Sequence, residues 1–162
     1  TQKLPNDDSQ YAWLNSEQKS KILLRLFPGK YLVGQGGNGN FAMSSGWGEI
    51  EQFGVWSVGS YVTLSLPCSA QHFYFDRDFI NLSLLVRPYG NQTITIRQKK
   101  HIVYHGEISS ESELDLSMST NGCRDTALDL DIHVSEPRSP LELGQSGDGR
   151  KLGIALLSYT LN

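Results

Sequence analysis

Cysteine is scarce in this sequence. Only Cys68 and Cys123 occur among its 162 residues. They lie far apart, and neither a second cysteine pair nor a histidine at zinc-ligand spacing accompanies them, which excludes a zinc site of the common Cys/His type. A disulfide in an oxidising compartment and two free thiols both remain open, because sequence alone does not fix the distance between the two side chains.

An excess of positive charge and long apolar runs are also missing. The 14 Lys and Arg residues stand against 17 Asp and Glu residues, a net charge of −3. The sequence therefore has no basic stripe for a nucleic-acid partner. No apolar run is long enough to span a membrane, and no charged and then apolar leader opens the chain. Because the first residue is Thr1 and not Met, we expect an excised piece of a larger protein.

The length suits a single domain, and residues 1–45 are predicted to precede it as a linker and a short helix. The first fifteen residues are polar. Ser16 is a suitable helix N-cap, and an apolar face follows it until Pro28 and Gly29 end the helix. The glycine-rich segment 34–40 predicts a flexible loop. It is not a phosphate loop, because no Gly-Lys-Ser or Gly-Lys-Thr ending follows.

Nearly all patterns in residues 46–162 indicate β-strands. Short segments with two-residue alternation recur at close spacing, with turn residues between them. The predicted strands are 61–66, 80–86, 93–98, 102–105, 113–117, 127–134 and 153–161, with a brief strand at 31–33 before them. This pattern predicts an all-β fold, an antiparallel β-sandwich of jelly-roll type. The last strand is almost continuously apolar, so we expect it inside a sheet and not at an edge.

Residues 46–57 concentrate aromatic residues and glycines. Two of the three tryptophans lie there, Trp47 and Trp56. We interpret the segment as a loop that leads into the first long strand, since glycine allows sharp turns. The two tryptophans are either core anchors or a platform for a sugar. We expect Trp56 to be buried in the core, and Trp47, with a glycine on each side, to lie on the surface.

Candidate catalytic residues are few. The four histidines are scattered, and none lies beside a serine or cysteine in a nucleophile-elbow setting. Glu49 and Glu51 would face the same side of an extended segment. Such a pair suits glycosidase carboxylates, acceptors for sugar hydroxyls, or a solvated edge. We assign no catalytic residue, and we expect neither a metal nor a cofactor.

Four segments, in this order, make the chain resemble a bacterial domain of uncharacterised function. They are residues 54–57 (Gly-Val-Trp-Ser), 84–90 with Arg87 and Tyr89, 137–144 with its Ser-Pro and Leu-Gly pairs, and 148–154. The Arg-Lys-Leu-Gly-Ile block in the last segment is the most specific part. The similarity covers about residues 46–161, and residues 1–45 have no counterpart in it.

The domain that this chain resembles lies at the C-terminal end of membrane-bound cell-envelope enzymes. These include phosphoglycerol transferases that act on periplasmic glucans, and polytopic glycosyltransferase-like membrane proteins. The resemblance implies a non-catalytic accessory domain in the periplasm, or on the extracytoplasmic face of a bacterial inner membrane. Such a domain would bind cell-envelope oligo- or polysaccharide, or present it to its parent membrane enzyme. The chain has no sulfatase-like metal site or transferase nucleophile, so the parent activity is not carried over.

The expected fold is a sandwich like that of carbohydrate-binding modules, and this chain also has the residue types that contact sugars. Sugar C–H faces stack on Trp or Tyr, and hydroxyl groups bind Arg, Gln and carboxylates. The candidate ligand-binding residues are Trp47, Glu49, Arg87, Tyr89, Gln98 and Arg150. The two arginines are equally suited to ion pairs that fix loops, and Tyr89 to packing at a strand end.

Three classes of function therefore remain. The chain is a carbohydrate-binding module, a structural or interaction domain that packs on a parent enzyme without touching sugar, or an independent enzyme. An exposed aromatic beside a groove would favour the first class, and a broad exposed apolar patch the second. A pocket with a carboxylate pair of raised pKa would favour the third.

Overall fold

The computed structural model describes residues 28–67, 78–121 and 127–162. In these ranges the chain forms ten β-strands and one short 3-10 helix, Asn40–Ala42. The strands are β1 Gly29–Leu32, β2 Trp47–Ile50, β3 Val55–Val58, β4 Tyr61–Pro67, β5 Phe79–Pro88, β6 Gln92–Gln98, β7 His101–Ile108, β8 Ser112–Ser119, β9 Ala127–Val134 and β10 Leu152–Leu161. No described helix is long and apolar enough to cross a membrane.

The strands form two antiparallel sheets. Sheet A has the order β2-β3-β10-β5-β8, with β1 also paired to β10, and sheet B has the order β4-β9-β6-β7. The prediction of an all-β antiparallel sandwich is confirmed. From β3 to β10, consecutive strands lie in different sheets at every step except between β6 and β7. This is the strand order of an eight-stranded jelly roll.

The hydrophobic core lies between the two sheets. Alternate residues of each long strand point inward, as the two-residue period of a strand requires. In sheet A the buried residues of β5 are Ile80, Leu82, Leu84 and Val86, and in sheet B those of β9 are Leu128, Leu130, Ile132 and Val134. The polar residues between them are more exposed, which explains the alternation in the sequence.

Strand β10 is the central strand of sheet A. It pairs with β5 along one side, while β1 and β3 pair with its two halves along the other side. The prediction that the last strand is internal is confirmed. A strand with neighbours on both sides and a covered outer face has few solvated positions, and this accounts for its apolar run.

The sandwich begins before residue 46, and the predicted boundary between residues 45 and 46 is wrong. Strand β1 pairs with β10, and Tyr31 is buried, with its ring stacked on Tyr159 at 5.3 Å between centroids. The glycine-rich segment after β1 is also not a free loop. Asn38 Oδ1 accepts a hydrogen bond from the N–H of Leu32, and Asn40 Oδ1 accepts one from the N–H of Gly34. Two asparagine side chains thus bind backbone N–H groups of this segment, as a neighbouring strand would do in a sheet.

The prediction of a loop over residues 46–57 is also wrong, because β2 and β3 form a hairpin there. Val55 and Ser57 point into the sandwich, so Trp56 points outward and is only half-buried. The prediction that Trp56 belongs to the core is therefore wrong as well. Strand alternation decides its face, and a hydrogen bond to Ser57 makes the inward serine tolerable: Ser57 Oγ accepts from the N–H of Ile154 at 2.8 Å.

Several expectations concern residues outside the described ranges. The helix is expected at residues 16–27, which lie outside these ranges. Cys68 and Cys123 also lie outside them, so their pairing is not described. Within the described ranges, no group of three or more His, Cys, Asp or Glu residues is placed to hold a metal ion.

Candidate functional site

Three aromatic rings meet on the outer face of sheet A. Phe53 comes from the β2–β3 turn, Trp56 from β3, and Tyr89 follows the end of β5. The ring centroids of Phe53 and Trp56 are 6.0 Å apart, and those of Trp56 and Tyr89 are 5.8 Å apart. Both neighbours stand nearly perpendicular to the indole, at 77° and 86°. We call these three residues the aromatic patch.

Strand register places a small residue beside the indole and a charged residue next to it. Trp56 lies opposite Ala155 on β10, and Ala155 lies opposite Arg87 on β5. Ala155 is completely buried although it faces the outside of the sheet. The larger side chains of its neighbours therefore cover it, and a continuous surface crosses three strands.

Arg87 borders the aromatic patch on one side. Its guanidinium carbon lies 5.4 Å from the centroid of the Phe53 ring, a cation–π distance. Its Nη2 forms an ion pair of 3.1 Å with Glu111, in the turn between β7 and β8. Both side chains of the pair are about half exposed, so the pair positions the guanidinium more than it stabilises the fold.

Arg150 lies beside Gly48 of β2, and a Cβ added at Gly48 would be 3.5 Å from the carbonyl oxygen of Trp56. It forms a bidentate pair with Asp148, with 2.8 Å between Nη2 and Oδ2 and 3.0 Å between Nε and Oδ1. The hydrogen bonds from Arg150 lower the pKa of Asp148 to about 2, and the same pair raises the pKa of Arg150. Nη1 lies over Gly48, where an added Cβ would be only 3.3 Å away. Glycine at this position lets the guanidinium approach the sheet.

Glu51 supplies an acceptor beside Arg150. Its Oε1 lies 3.7 Å from Nη2 of Arg150. Its Oε2 is buried, and no described residue donates a hydrogen bond to it. Buried carboxylate oxygens usually have a donor. The Glu51 side chain as a whole is 32% exposed, so the part of it that a ligand could reach is not Oε2.

Tyr89 is fixed at both ends. Its backbone N–H donates to the carbonyl of Gly153 at 2.8 Å, and its hydroxyl donates to Gln145 Oε1 in the loop between β9 and β10. The ring beside Trp56 is therefore already positioned before any ligand binds, which lowers the entropic cost of binding.

Trp47 lies elsewhere and has a different environment. Its indole packs against the core at the edge of the sandwich, and Nε1–H donates to the carbonyl of Thr63 on β4 at 2.9 Å. This placement suits a structural role. Glu49 is exposed on the same strand, and its charge contributes to the raised pKa of Arg150. The expected platform of Trp47 and Glu49 is thus not the aromatic surface that the fold presents.

Gln98 is also remote from the aromatic patch. It is buried at the end of β6, where its amide binds both the N–H and the carbonyl of Ser119 at 2.8 Å. Of the six candidate residues, Tyr89 belongs to the patch, Arg87 lies over Phe53, and Arg150 lies beside β2 near the backbone of Trp56. Sequence reasoning missed Phe53. It named Trp56 as a possible sugar platform but expected it in the core, since nothing in the sequence showed which face of β3 is solvated, and it named Glu51 only as one of two possible acceptors.

Comparisons with known proteins give little on family. No protein-family model matches the sequence, and a search of curated proteins gives no match. Among solved structures, a carbohydrate-binding module CBM36 in complex with calcium and xylotriose superposes with a TM-score of 0.37 and 15% sequence identity. The superposition covers 74% of this chain and 90% of that chain. A likeness this loose carries no argument about ligands.

Proposed function

We propose that this domain binds saccharide without catalysing its chemistry, and that the ligand lies on the aromatic patch of sheet A. One observation carries the proposal: three aromatic rings and the Arg87 guanidinium share one surface, with Arg150 and Glu51 close together beside Gly48 of the same sheet. Aromatic faces stack on the C–H faces of sugars, and arginine and carboxylate groups bind hydroxyls in fixed directions.

The ring geometry supports a particular physical form of ligand. Because Phe53 and Tyr89 stand nearly perpendicular to Trp56, the patch presents corners and not one flat plane. A crystalline polysaccharide surface needs a flat row of rings. A soluble chain can place one sugar against two rings at once, so the ligand is a soluble oligo- or polysaccharide.

The segments that carry the sequence resemblance supply most of this surface. Trp56 belongs to the first segment, Arg87 and Tyr89 to the second, and Asp148 and Arg150 to the last. These segments are distant in sequence, yet their side chains lie in or beside sheet A. This convergence supports the link between the resemblance and the proposed binding surface.

We propose the cellular setting on the resemblance alone. In this setting the domain lies in the periplasm, or on the extracytoplasmic face of a bacterial inner membrane, as part of a membrane-bound transferase. It binds cell-envelope oligo- or polysaccharide and presents it to the catalytic part of that enzyme.

A structural or interaction role is the second candidate, and exposed apolar residues favour it. Leu141 and Leu143, in the loop that also contains Asp148, are 57% and 43% exposed, and Ile50 is 48% exposed. Exposed apolar side chains of this kind are available for packing on a parent enzyme. Replacing both leucines with serine should then abolish association with the parent enzyme and leave glycan binding unchanged.

Isothermal titration with soluble β-glucan and other envelope oligosaccharides tests the binding proposal. We expect weak binding, with Kd between about 1 μM and 1 mM, because a shallow site leaves much of the ligand in water. Trp56→Ala should weaken binding at least about tenfold, which corresponds to ~1.4 kcal/mol. Phe79→Ala is the matched control, because Phe79 is a 58% exposed aromatic at the other end of β5. Equal affinities for Trp56→Ala and the parent protein, or no binding to any envelope glycan, would contradict the proposal.

A further inference from the structure

A polar groove lies at the end of the sandwich next to the aromatic patch. Its volume is about 690 Å³. Residues from three connections line it: Asn91 and Thr93 at the start of β6, Glu107 and Ser109 at the end of β7, and Ser135 and Glu136 after β9. Nothing in the binding surface described above uses these residues.

The framework of the groove is rigid. Gln92 is 2% exposed, and its Nε2 donates to the carbonyls of Tyr89 and Glu136 at 2.9 and 2.7 Å. Its Oε1 accepts from the N–H of Glu136 at 2.9 Å. Ser135 Oγ accepts from the N–H of Thr93 at 2.8 Å. A wall fixed by so many hydrogen bonds loses little entropy when a ligand binds.

The groove and the aromatic patch share their connections. Tyr89 belongs to the patch, and the Gln92 amide that shapes the groove wall binds its carbonyl. On the other wall, Ser109 begins the turn that contains Glu111, the partner of Arg87. The two features therefore meet at the same end of the sandwich, with the groove on the side of sheet B and the patch on the side of sheet A. The connections that contain Tyr89 and Glu111 lie between them.

The charges along this surface favour a neutral ligand. Among the residues that the structure describes, the groove lining contains two carboxylates, Glu107 and Glu136, and no Lys or Arg. At the patch, Arg87 and Arg150 are each already paired with a carboxylate. An anionic glycan would meet uncompensated negative charge in the groove, whereas hydroxyl groups can donate to these carboxylates.

We infer that the groove extends the aromatic patch, so that the ligand is an uncharged saccharide chain of several units that runs from Trp56 past Tyr89 into the groove. This inference rests on the proposed saccharide binding and adds the length and charge class of the ligand. The patch holds one end of the chain by stacking, and the groove binds the hydroxyls of the following units.

A length series tests it. Linear, neutral β-linked gluco-oligosaccharides from the disaccharide to the hexasaccharide are titrated into the intact domain by calorimetry. We expect the association constant to rise at least about tenfold over the series. Carboxymethylated chains of the same lengths should gain less than the neutral ones.

Two groove variants test whether the rise in affinity with chain length comes from the groove. Ser109→Trp fills the groove, and Glu107→Ala removes an acceptor without adding bulk. Both should reduce hexasaccharide affinity towards that of the disaccharide and leave disaccharide affinity unchanged. Ser117→Trp is the control, since Ser117 is equally exposed but lies towards the other end of β8.

The outcomes separate the two proposals. If the disaccharide binds and affinity does not rise with length, or if neither groove variant changes hexasaccharide affinity, the groove inference is wrong and the binding patch remains. If no member of the series binds, both the patch and the groove proposals fall. If the carboxymethylated chains bind more tightly than the neutral ones, the charge class is wrong.

Discussion

The two tryptophans of the β2–β3 hairpin have opposite roles, although they have similar neighbours in the sequence. Trp47 packs at the sandwich edge with its indole N–H bound to Thr63, while Trp56 lies on the outer face beside Phe53 and Tyr89. The sequence indicates that tryptophan matters here but not which of the two packs against the core. That depends on the strand register, which places Ser57 and not Trp56 inside.

A stability comparison checks this assignment at the residue scale. Trp47→Ala should lower the free energy of unfolding by about 3 kcal/mol, the lower end of the range for a buried large aromatic, because the indole is partly exposed. Trp56→Ala should cost only about 1 to 2 kcal/mol, since its indole lies on the outer face of sheet A and does not pack against the hydrophobic core. Urea denaturation followed by far-ultraviolet circular dichroism measures both. A larger loss for Trp56→Ala than for Trp47→Ala would contradict the assignment.

At the scale of elements, the long strands were predictable and the short ones were not. The alternation of β9 fixed its bounds, and the apolar run of β10 indicated an internal strand. Strands β2 and β3 have four residues each, with glycines around them, so their pattern is too short to distinguish from a loop. These two strands pair with each other, and β3 also pairs with β10, so contacts with a distant part of the chain fix their structure.

The close packing at the start of β10 was also not predictable from the sequence. An added Cβ on Gly153 would lie 2.6 Å from Val134 Cγ1 and 2.9 Å from Ser57 Oγ. The register between β3 and β10 shifts at this point, and the Ser57 side chain supplies a hydrogen bond that the ladder lacks. Such contacts join residues distant in the chain, and a local pattern does not reveal them.

The loop between β9 and β10 should respond to acid through Asp148. Its pKa falls from the ordinary 3.8 to about 2 in the folded protein, mainly through the hydrogen bonds from Arg150. A lowered pKa means that the stabilisation is present above pH 3.8 and is lost as the pH falls towards about 2. Asp148→Asn should therefore reduce this part of the acid dependence. The measurement is the difference in unfolding free energy between parent and variant across that pH range, and a difference independent of pH would contradict the pairing.

At the scale of the whole molecule, sheet A brings distant segments to one face. Sequence reasoning, with the resemblance, selected Arg87, Tyr89 and Arg150; the fold places Tyr89 against Trp56, Arg87 two strands from it, and Arg150 beside Gly48. It also selected Gln98 and Trp47, which the fold uses for hydrogen bonds within the sandwich. Residue type alone does not separate a buried amide or indole from an exposed one.

The most direct test of the account follows the tryptophan indole N–H signals by nuclear magnetic resonance while a soluble β-gluco-oligosaccharide is added. Assignment comes from the Trp47→Phe and Trp56→Phe variants. We expect the Trp56 signal to shift with saturation, while the Trp47 signal, whose N–H donates to Thr63 at 2.9 Å, stays in place. A shift of Trp47 with Trp56 unchanged would contradict the claim that the outer face of sheet A binds the glycan.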